Sequence, residues 1–155
     1  MGKESESVKV LARNKRAFFN YEIEETLECG IELLGTEVKS IKSSRFSFSD
    51  SYARVLNNEL WLIGLHVSEY THGNLFNHEP ERSRRLLVHK QELKHLKRKI
   101  DERGYTVVPL RFYLKNGLIK VEVGLGRGKK NYDKRESIKQ KDLKREAMRE
   151  LRGRY

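Results

Sequence analysis

Apolar residues at Phe19, Tyr21 and Ile23 alternate with polar ones, a period of two that predicts a half-buried strand across 18–28. Gly30 predicts a bend or bulge before Ile31–Leu34 resumes the strand. The period then changes. Over Gly35–Lys42, Thr36 suits an N-cap, Glu37 sits in a first turn that favours negative charge, and Val38 and Ile41 share a face, which together predict a short helix. The serine-rich run 43–51 reads as a loop. Tyr52–Leu56 and Glu59–Leu65 read as a hairpin around Asn57-Asn58, because asparagine tolerates the positive φ of a tight turn. A long exposed loop is expected over 66–85, rich in His, Asn and Arg and holding Pro80. Leu93, Leu96 and Ile100 then line one face of a helix over 90–103 that Gly104 ends. The clearest hairpin joins Thr106–Leu114 to Leu118–Val123 through Lys115-Asn116-Gly117, since Asn-Gly between β-rich runs is a strong turn signature. Pro109 marks an edge position or a bulge.

These elements predict a mainly β fold with short helices. About six strands and two or three helices suit a small antiparallel barrel of the kind that includes oligonucleotide-binding folds. Residues 1–126 form that body, with 1–12 a flexible leader, and residues 127–155 form a basic C-terminal tail. The tail holds twelve basic residues against five acidic ones, a surplus of seven in a chain whose net charge is +11. Its rows at four-residue spacing are consistent: Lys141, Arg145, Arg149 basic; Asp142, Glu146, Glu150 acidic; Leu143, Ala147, Leu151 apolar. Residues four apart share a helix face. Like charges along one row and a single narrow apolar stripe give an isolated helix little support, so the tail is expected to be disordered when free and helical when bound. A phosphate-lined groove is the natural surface to order it; a solvated tail that only aids solubility is the alternative.

A sequence pI near 9.8 points to nucleic acid or an anionic surface as partner. Membrane association is not expected, because no apolar run approaches the roughly 18 residues of a spanning helix, and the polar N-terminus has no signal-peptide core. Cys29 is the one cysteine, which excludes an internal disulfide and a thiolate zinc site and suits a cytoplasmic setting. His66, His72 and His78 recur every six residues, as do His89 and His95, a spacing that matches no common metal-ligand pattern on a helix. A ribonuclease pairing His72 or His78 with Glu79 or a lysine is a distant alternative to solvated or hydrogen-bonded histidines. Gly124, Gly126 and Gly128 precede Lys129-Lys130 without the spacing of a nucleotide-binding P-loop. No catalytic residue, metal, cofactor or small-molecule substrate is therefore expected. What remains is binding chemistry. Asn14-Lys15-Arg16 and Arg82-Ser83-Arg84-Arg85 suit phosphates, while Tyr21, Phe46, Phe48, Tyr70, Phe76 and Tyr132 either stack on unpaired bases or pack the core. Tyr132 alone lies in the tail with no core beside it.

Several of these stretches resemble the SsrA-binding protein family, also called small protein B, which acts with transfer-messenger RNA to rescue stalled ribosomes. The resemblance runs from about Asn14 to Arg152. It rests on Asn14-Lys15-Arg16-Ala17, Tyr21-Glu22-Ile23 with Glu28-Cys29-Gly30-Ile31, Gly35-Thr36-Glu37-Val38-Lys39-Ser40, Asp50-Ser51-Tyr52, Asn77-His78-Glu79-Pro80 with the arginine run through Leu87, Gly104-Tyr105-Thr106-Val107-Val108-Pro109, and Gly128-Lys129-Lys130-Asn131-Tyr132-Asp133-Lys134-Arg135. It implies an OB-like barrel that binds the transfer-RNA-like domain of that RNA. RNA-binding positions fall on Tyr21, Glu28, Leu87 and Lys120, flanked by Asn14, Lys15, Arg16, Arg82, Arg84 and Arg85. The resemblance also implies a tail, carrying Gly128, Lys129, Lys130, Tyr132, Asp133, Lys134 and Arg135, that enters the decoding centre and the empty messenger channel of the ribosome. Tyr132 stands where some members have His, which keeps stacking and loses a protonatable imidazole. A structural ribosomal or other generic RNA-binding protein is the alternative reading.

Overall fold

The computed structural model describes residues 7–70 and 77–153; within these, the side chains of residues 131–133 and 153 lie outside the description. The elements in chain order are β1 (Val8–Arg13), α1 (Lys15–Asn20), β2 (Tyr21–Ile31), α2 (Gly35–Lys42), β3 (Phe46–Ser47), β4 (Tyr52–Leu56), β5 (Glu59–Ile63), β6 (His66–Val67), β7 (Arg84–Leu87), α3 (Lys90–Arg103), β8 (Thr106–Lys115), β9 (Leu118–Gly128) and α4 (Asn131–Gly153).

Six strands close into an antiparallel ring in the order β8-β4-β5-β7-β2-β9, sealed by the β8–β9 hairpin. The ring is uneven. β2 and β9 pair from Tyr21↔Gly128 to Gly30↔Lys120, whereas β7 meets β2 only at Gly30↔Leu87 and Ile31↔Leu86, and β4 meets β8 at Ala53↔Val107. Both hairpins turn on residues of positive φ, Asn57 (50°) with Asn58 (56°) and Asn116 (51°) with Gly117 (80°), the handedness that matches strand twist. The β8–β9 register shifts between Pro109 and Arg111, so the proline sits at a bulge. At Gly126 the approach of β9 to β2 leaves no room for a side chain: a Cβ there would lie 1.9 Å from the Glu22 carbonyl oxygen.

Two segments depart from the periodicity. Val8–Arg13, all but its last residue placed in the flexible leader by the sequence, extends β8 as an outer strand, from Val8↔Lys115 to Arg13↔Arg111. Phe18 and Phe19 lie in α1 instead of a strand. The cause is Asn14, whose Oδ1 accepts from the Ala17 N–H at 3.2 Å and caps the helix. The alternating pattern of β2 is correct but starts at Tyr21.

The ring encloses Leu60, Leu62, Leu86, Phe112, Val121, Val123 and Leu125, and α3 adds Leu96 with Leu93 and Ile100 beside it. Phe46 and Phe48 pack on Phe112 with ring centroids 4.9 and 5.6 Å away, so these two aromatics belong to the core. α3 ends where the sequence predicts: Gly104 adopts φ 64° and its N–H donates to the Ile100 carbonyl at 3.0 Å. A smaller cluster of Ala17, Val108 and Leu110 fixes α1 against β8, with Phe18, Tyr21 and Ile23 around it.

Candidate nucleic-acid interface

Alternation along β2 turns Cys29 inward and leaves Glu28 exposed beside Gly30. Gly30 sits opposite Leu87 of β7 and Lys120 of β9. Lys120 in turn sits opposite Tyr113 of β8. Glu28, Leu87 and Lys120, remote in sequence, thus meet on one outer face around a residue without a side chain. Leu87 is 44% exposed for a large apolar group. A shallow groove of about 420 Å³ runs along Gly30, Leu87, Leu118 and Lys120, with Lys42 of α2 at its rim. The Tyr113 hydroxyl donates to Glu28, and Lys115 Nζ donates to the same carboxylate at 3.3 Å. The Tyr113 hydrogen bond outweighs partial desolvation and, with Lys115, holds the Glu28 carboxyl below its ordinary value of 4.5. Burial and the Glu28 charge push the Tyr113 phenol up. Glu28 is therefore an anchored anion, and Lys120 and Leu87 present charge and apolar surface next to it. Sequence reasoning missed Tyr113, Lys115 and Lys42. The Asn116-Gly117 turn carries the signal for Tyr113, since a two-residue turn fixes the cross-strand pair Tyr113↔Lys120.

Tyr21 lies at the opposite end of β2, about 23 Å from Glu28 at a strand's rise per residue, half-buried against the α1 cluster. The structure does not bring it to the Glu28 face. In the neighbouring Asn14-Lys15-Arg16 run, Asn14 is buried, and its Nδ2 donates to the Pro109 carbonyl at 2.9 Å. Asn14 is a cap and a clasp. Lys15 and Arg16 point outward, Arg16 within 3.5 Å of Asp50.

The arginine run divides in the same way. Arg84, taken from sequence as a phosphate ligand, is 0% exposed. Its Nε donates to Glu37, and its terminal nitrogens donate to the carbonyls of Leu65 (3.0 Å) and Pro80 (3.1 Å). Fully buried and turned onto these three acceptors, the guanidinium presents no surface to RNA. Arg82 donates to the same Glu37 at 2.6 Å, and the Leu34 N–H adds a third donor at 2.8 Å. Burial pushes the Glu37 carboxyl up, but the Arg82, Leu34 and Arg84 hydrogen bonds more than offset it and hold it below 4.5. Arg85 alone of the three has a half-exposed head without a buried partner, within 3.5 Å of Glu32 and 3.8 Å of Glu59. His78 is buried nearby. Its Nε2 donates to the Val67 carbonyl (2.9 Å), and its Nδ1 shares a hydrogen bond with the Thr36 hydroxyl (2.8 Å). A histidine so engaged is a structural member of the fold; His72 and Phe76 lie outside the described residues. Among the described residues no group of three or more His, Cys, Asp or Glu is placed to hold a metal, and no helix is long and apolar enough to cross a membrane.

Gly128 belongs to β9, opposite Tyr21, so the body extends slightly past the boundary expected from sequence. The Lys129 N–H donates to the Asn20 carbonyl at 2.8 Å and ties the chain to α1 before α4 departs. Lys130 and Arg135 are exposed and Lys134 is half-buried. The side chains of Tyr132 and Asp133 lie outside the described ones. Further along, α4 leaves Ile138, Leu143, Met148 and Leu151 exposed.

Residues 11–153 match the family model described as SmpB protein. The chain is 52% identical over 149 residues to the SsrA-binding protein of Treponema denticola, covering 96% of this chain and 97% of that one. It is 54% identical over 143 residues to the SsrA-binding protein of Borreliella burgdorferi, covering 92% and 95%, and 50% identical over 154 residues to that of Shouchella clausii, covering 99% and 98%. Among solved structures, a chain from work described as "tmRNA-SmpB: a journey to the center of the bacterial ribosome" superposes with a TM-score of 0.66 at 44% identity, over 79% of this chain and 87% of that one.

Proposed function

The chain belongs to the SmpB family of SsrA-binding proteins, and from that premise we propose that it is a non-enzymatic adaptor that binds the transfer-RNA-like domain of transfer-messenger RNA and carries it to stalled ribosomes in the cytoplasm. The observation that carries this reading is the outer face on which Glu28, Leu87 and Lys120 converge around Gly30. Folded RNA is recognised by shape, by backbone contacts and by stacking or hydrogen bonding to unpaired nucleotides. Each has a counterpart on this face. Lys120 offers charge to a phosphate, Leu87 an apolar platform, and Glu28, held ionised by Tyr113 and Lys115, an acceptor for a base or ribose donor. The groove remains open because Gly30 has no side chain to fill it.

The division of labour is between body and tail. The body, residues 7–128, recognises the RNA, and the tail meets the decoding centre and the vacant messenger channel through Lys129, Lys130, Tyr132, Asp133, Lys134 and Arg135. Such a segment reports that the channel is empty by occupying it. On the ribosome, phosphates neutralise the basic rows of α4 and so support its helix. Lys15, Arg16 and Arg85 contribute positive potential around the body; Asn14, Arg82 and Arg84 hold the fold that presents it. No catalytic group is required of this chain, because peptide transfer belongs to the ribosome.

The test is competition binding of the full chain and its Lys120→Ala and Leu87→Ala variants to the transfer-RNA-like domain, with ordinary transfer RNA as competitor. Selective binding by the wild type that either variant reduces about tenfold or more is expected. Equal binding of both RNAs by the wild type would replace the adaptor with a generic RNA-binding protein.

A further inference from the structure

On the other side of the body, α1 and the first turns of α4 bound a second cleft of about 470 Å³, within the size range of pockets that enclose small ligands, roughly 300–1,000 Å³. Its walls carry Arg13 and Lys15 from the body, Lys129 from the connector, and Lys141 and Lys144 from the tail helix. No carboxylate lines it, and among the described residues none of these five cations is ion-paired. The floor is aromatic. Arg13 already lies over the Phe18 ring at 4.5 Å, and Phe19 is half-exposed in the same wall. Lys129 crosses the cleft, its backbone N–H held by Asn20 at 2.8 Å and its Nζ donating to Ser137 at 3.3 Å.

Two unneutralised basic walls repel one another, so the cleft stores an unfavourable interaction that a polyanion between the walls would reverse. We infer that this cleft is a second RNA site, in which a phosphate of an unpaired RNA strand bridges Lys15 on the body to Lys141 and Lys144 on the tail helix, with Phe19 as the face on which the adjoining base stacks. The charge is complementary to phosphate, and aromatic faces beside a basic groove are what unpaired nucleotides engage. The consequence is mechanical. RNA in the cleft fixes the direction in which α4 leaves the body, so strand binding and tail orientation are one event. This inference rests on the RNA-binding reading above but uses residues remote from the Glu28 face.

The experiment titrates the full chain with a ten-nucleotide oligouridylate over a salt series, for wild type, Lys15→Gln, Lys141→Gln with Lys144→Gln, and the combination. Spin labels on exposed positions of α1 and α4, outside the cleft, report their separation. Either set should weaken oligonucleotide binding several-fold and lower the log–log salt slope by about 0.7 for each phosphate that the variant no longer neutralises. Because both walls share one phosphate, the combination should cost clearly less than the product of the two, and the oligonucleotide should narrow the distance distribution in wild type only. Lys139→Gln, on α4 but outside the cleft lining, should cost little. Multiplicative losses, an equal loss for Lys139→Gln, or an unchanged distance distribution would overturn the inference. Failure of the wild type to prefer the transfer-RNA-like domain would instead overturn the adaptor reading and leave these cleft measurements to be judged on their own.

Discussion

Glu37 and Glu28 each gather donors from distant parts of the chain, and their surroundings are opposite. Glu37 is sealed where α2 meets β7, taking Arg82, Arg84 and the Leu34 N–H with no exposed surface. Glu28 sits on the outer face with Tyr113 and Lys115 and remains 40% exposed. The first cluster turns two guanidiniums onto one buried carboxylate. The second leaves Lys120 and Leu87 without a buried role, and the proposed RNA-binding surface rests on that surplus.

The largest expected effect comes from breaking the sealed cluster. Glu37→Ala would strand the Arg84 guanidinium in the interior and should cost about 3–5 kcal/mol in denaturant unfolding; a loss below about 1 kcal/mol would mean that the pair is dispensable. Next in size, Lys120→Ala should weaken binding of the transfer-RNA-like domain about tenfold, close to 1.4 kcal/mol, while unfolding shifts by no more than about 0.5 kcal/mol. A Lys120 variant that unfolds early would erase the contrast between the clusters. Acid sharpens it further. Both carboxyls are held below 4.5 in the folded chain, so each contributes stability that is complete above the unfolded value, about 4.3, and is lost as pH falls through the folded one. In urea unfolding between about pH 2 and 5, Glu37→Gln should flatten the acid limb strongly and Glu28→Gln weakly, since solvent screens the exposed carboxylate. The smallest effect is expected from removing α4 after Lys130, which should change stability of the body by about 0.5 kcal/mol or less, because the helix exposes its own apolar residues.

Much of this body is legible in the sequence because local chemistry and global fold agree. Asn57-Asn58, Asn116-Gly117 and Gly104 mark turns and a helix end whose positive φ values the structure contains. The β1 strand was illegible because Val8–Arg13 has little burial of its own and gains its structure from pairing with β8. The arginines show the same limit. Arg82, Arg84 and Arg85 look alike in a basic run, yet the strand period turns Arg84 inward and Arg85 outward, and Glu37, which takes the buried charge, is distant in sequence. Tyr113 was hidden for another reason: a strand tyrosine is unremarkable until cross-strand register sets it opposite Lys120 and within reach of Glu28.

The central claim, that recognition resides in the body and the tail acts elsewhere, is tested most directly by one binding experiment. The full chain and its 1–130 fragment are titrated with the transfer-RNA-like domain of transfer-messenger RNA and with an ordinary transfer RNA, over a salt series. Both forms should prefer the transfer-RNA-like domain by the same ratio, the fragment losing only affinity that salt removes. A fragment that binds both RNAs equally would place recognition in the tail and contradict the account.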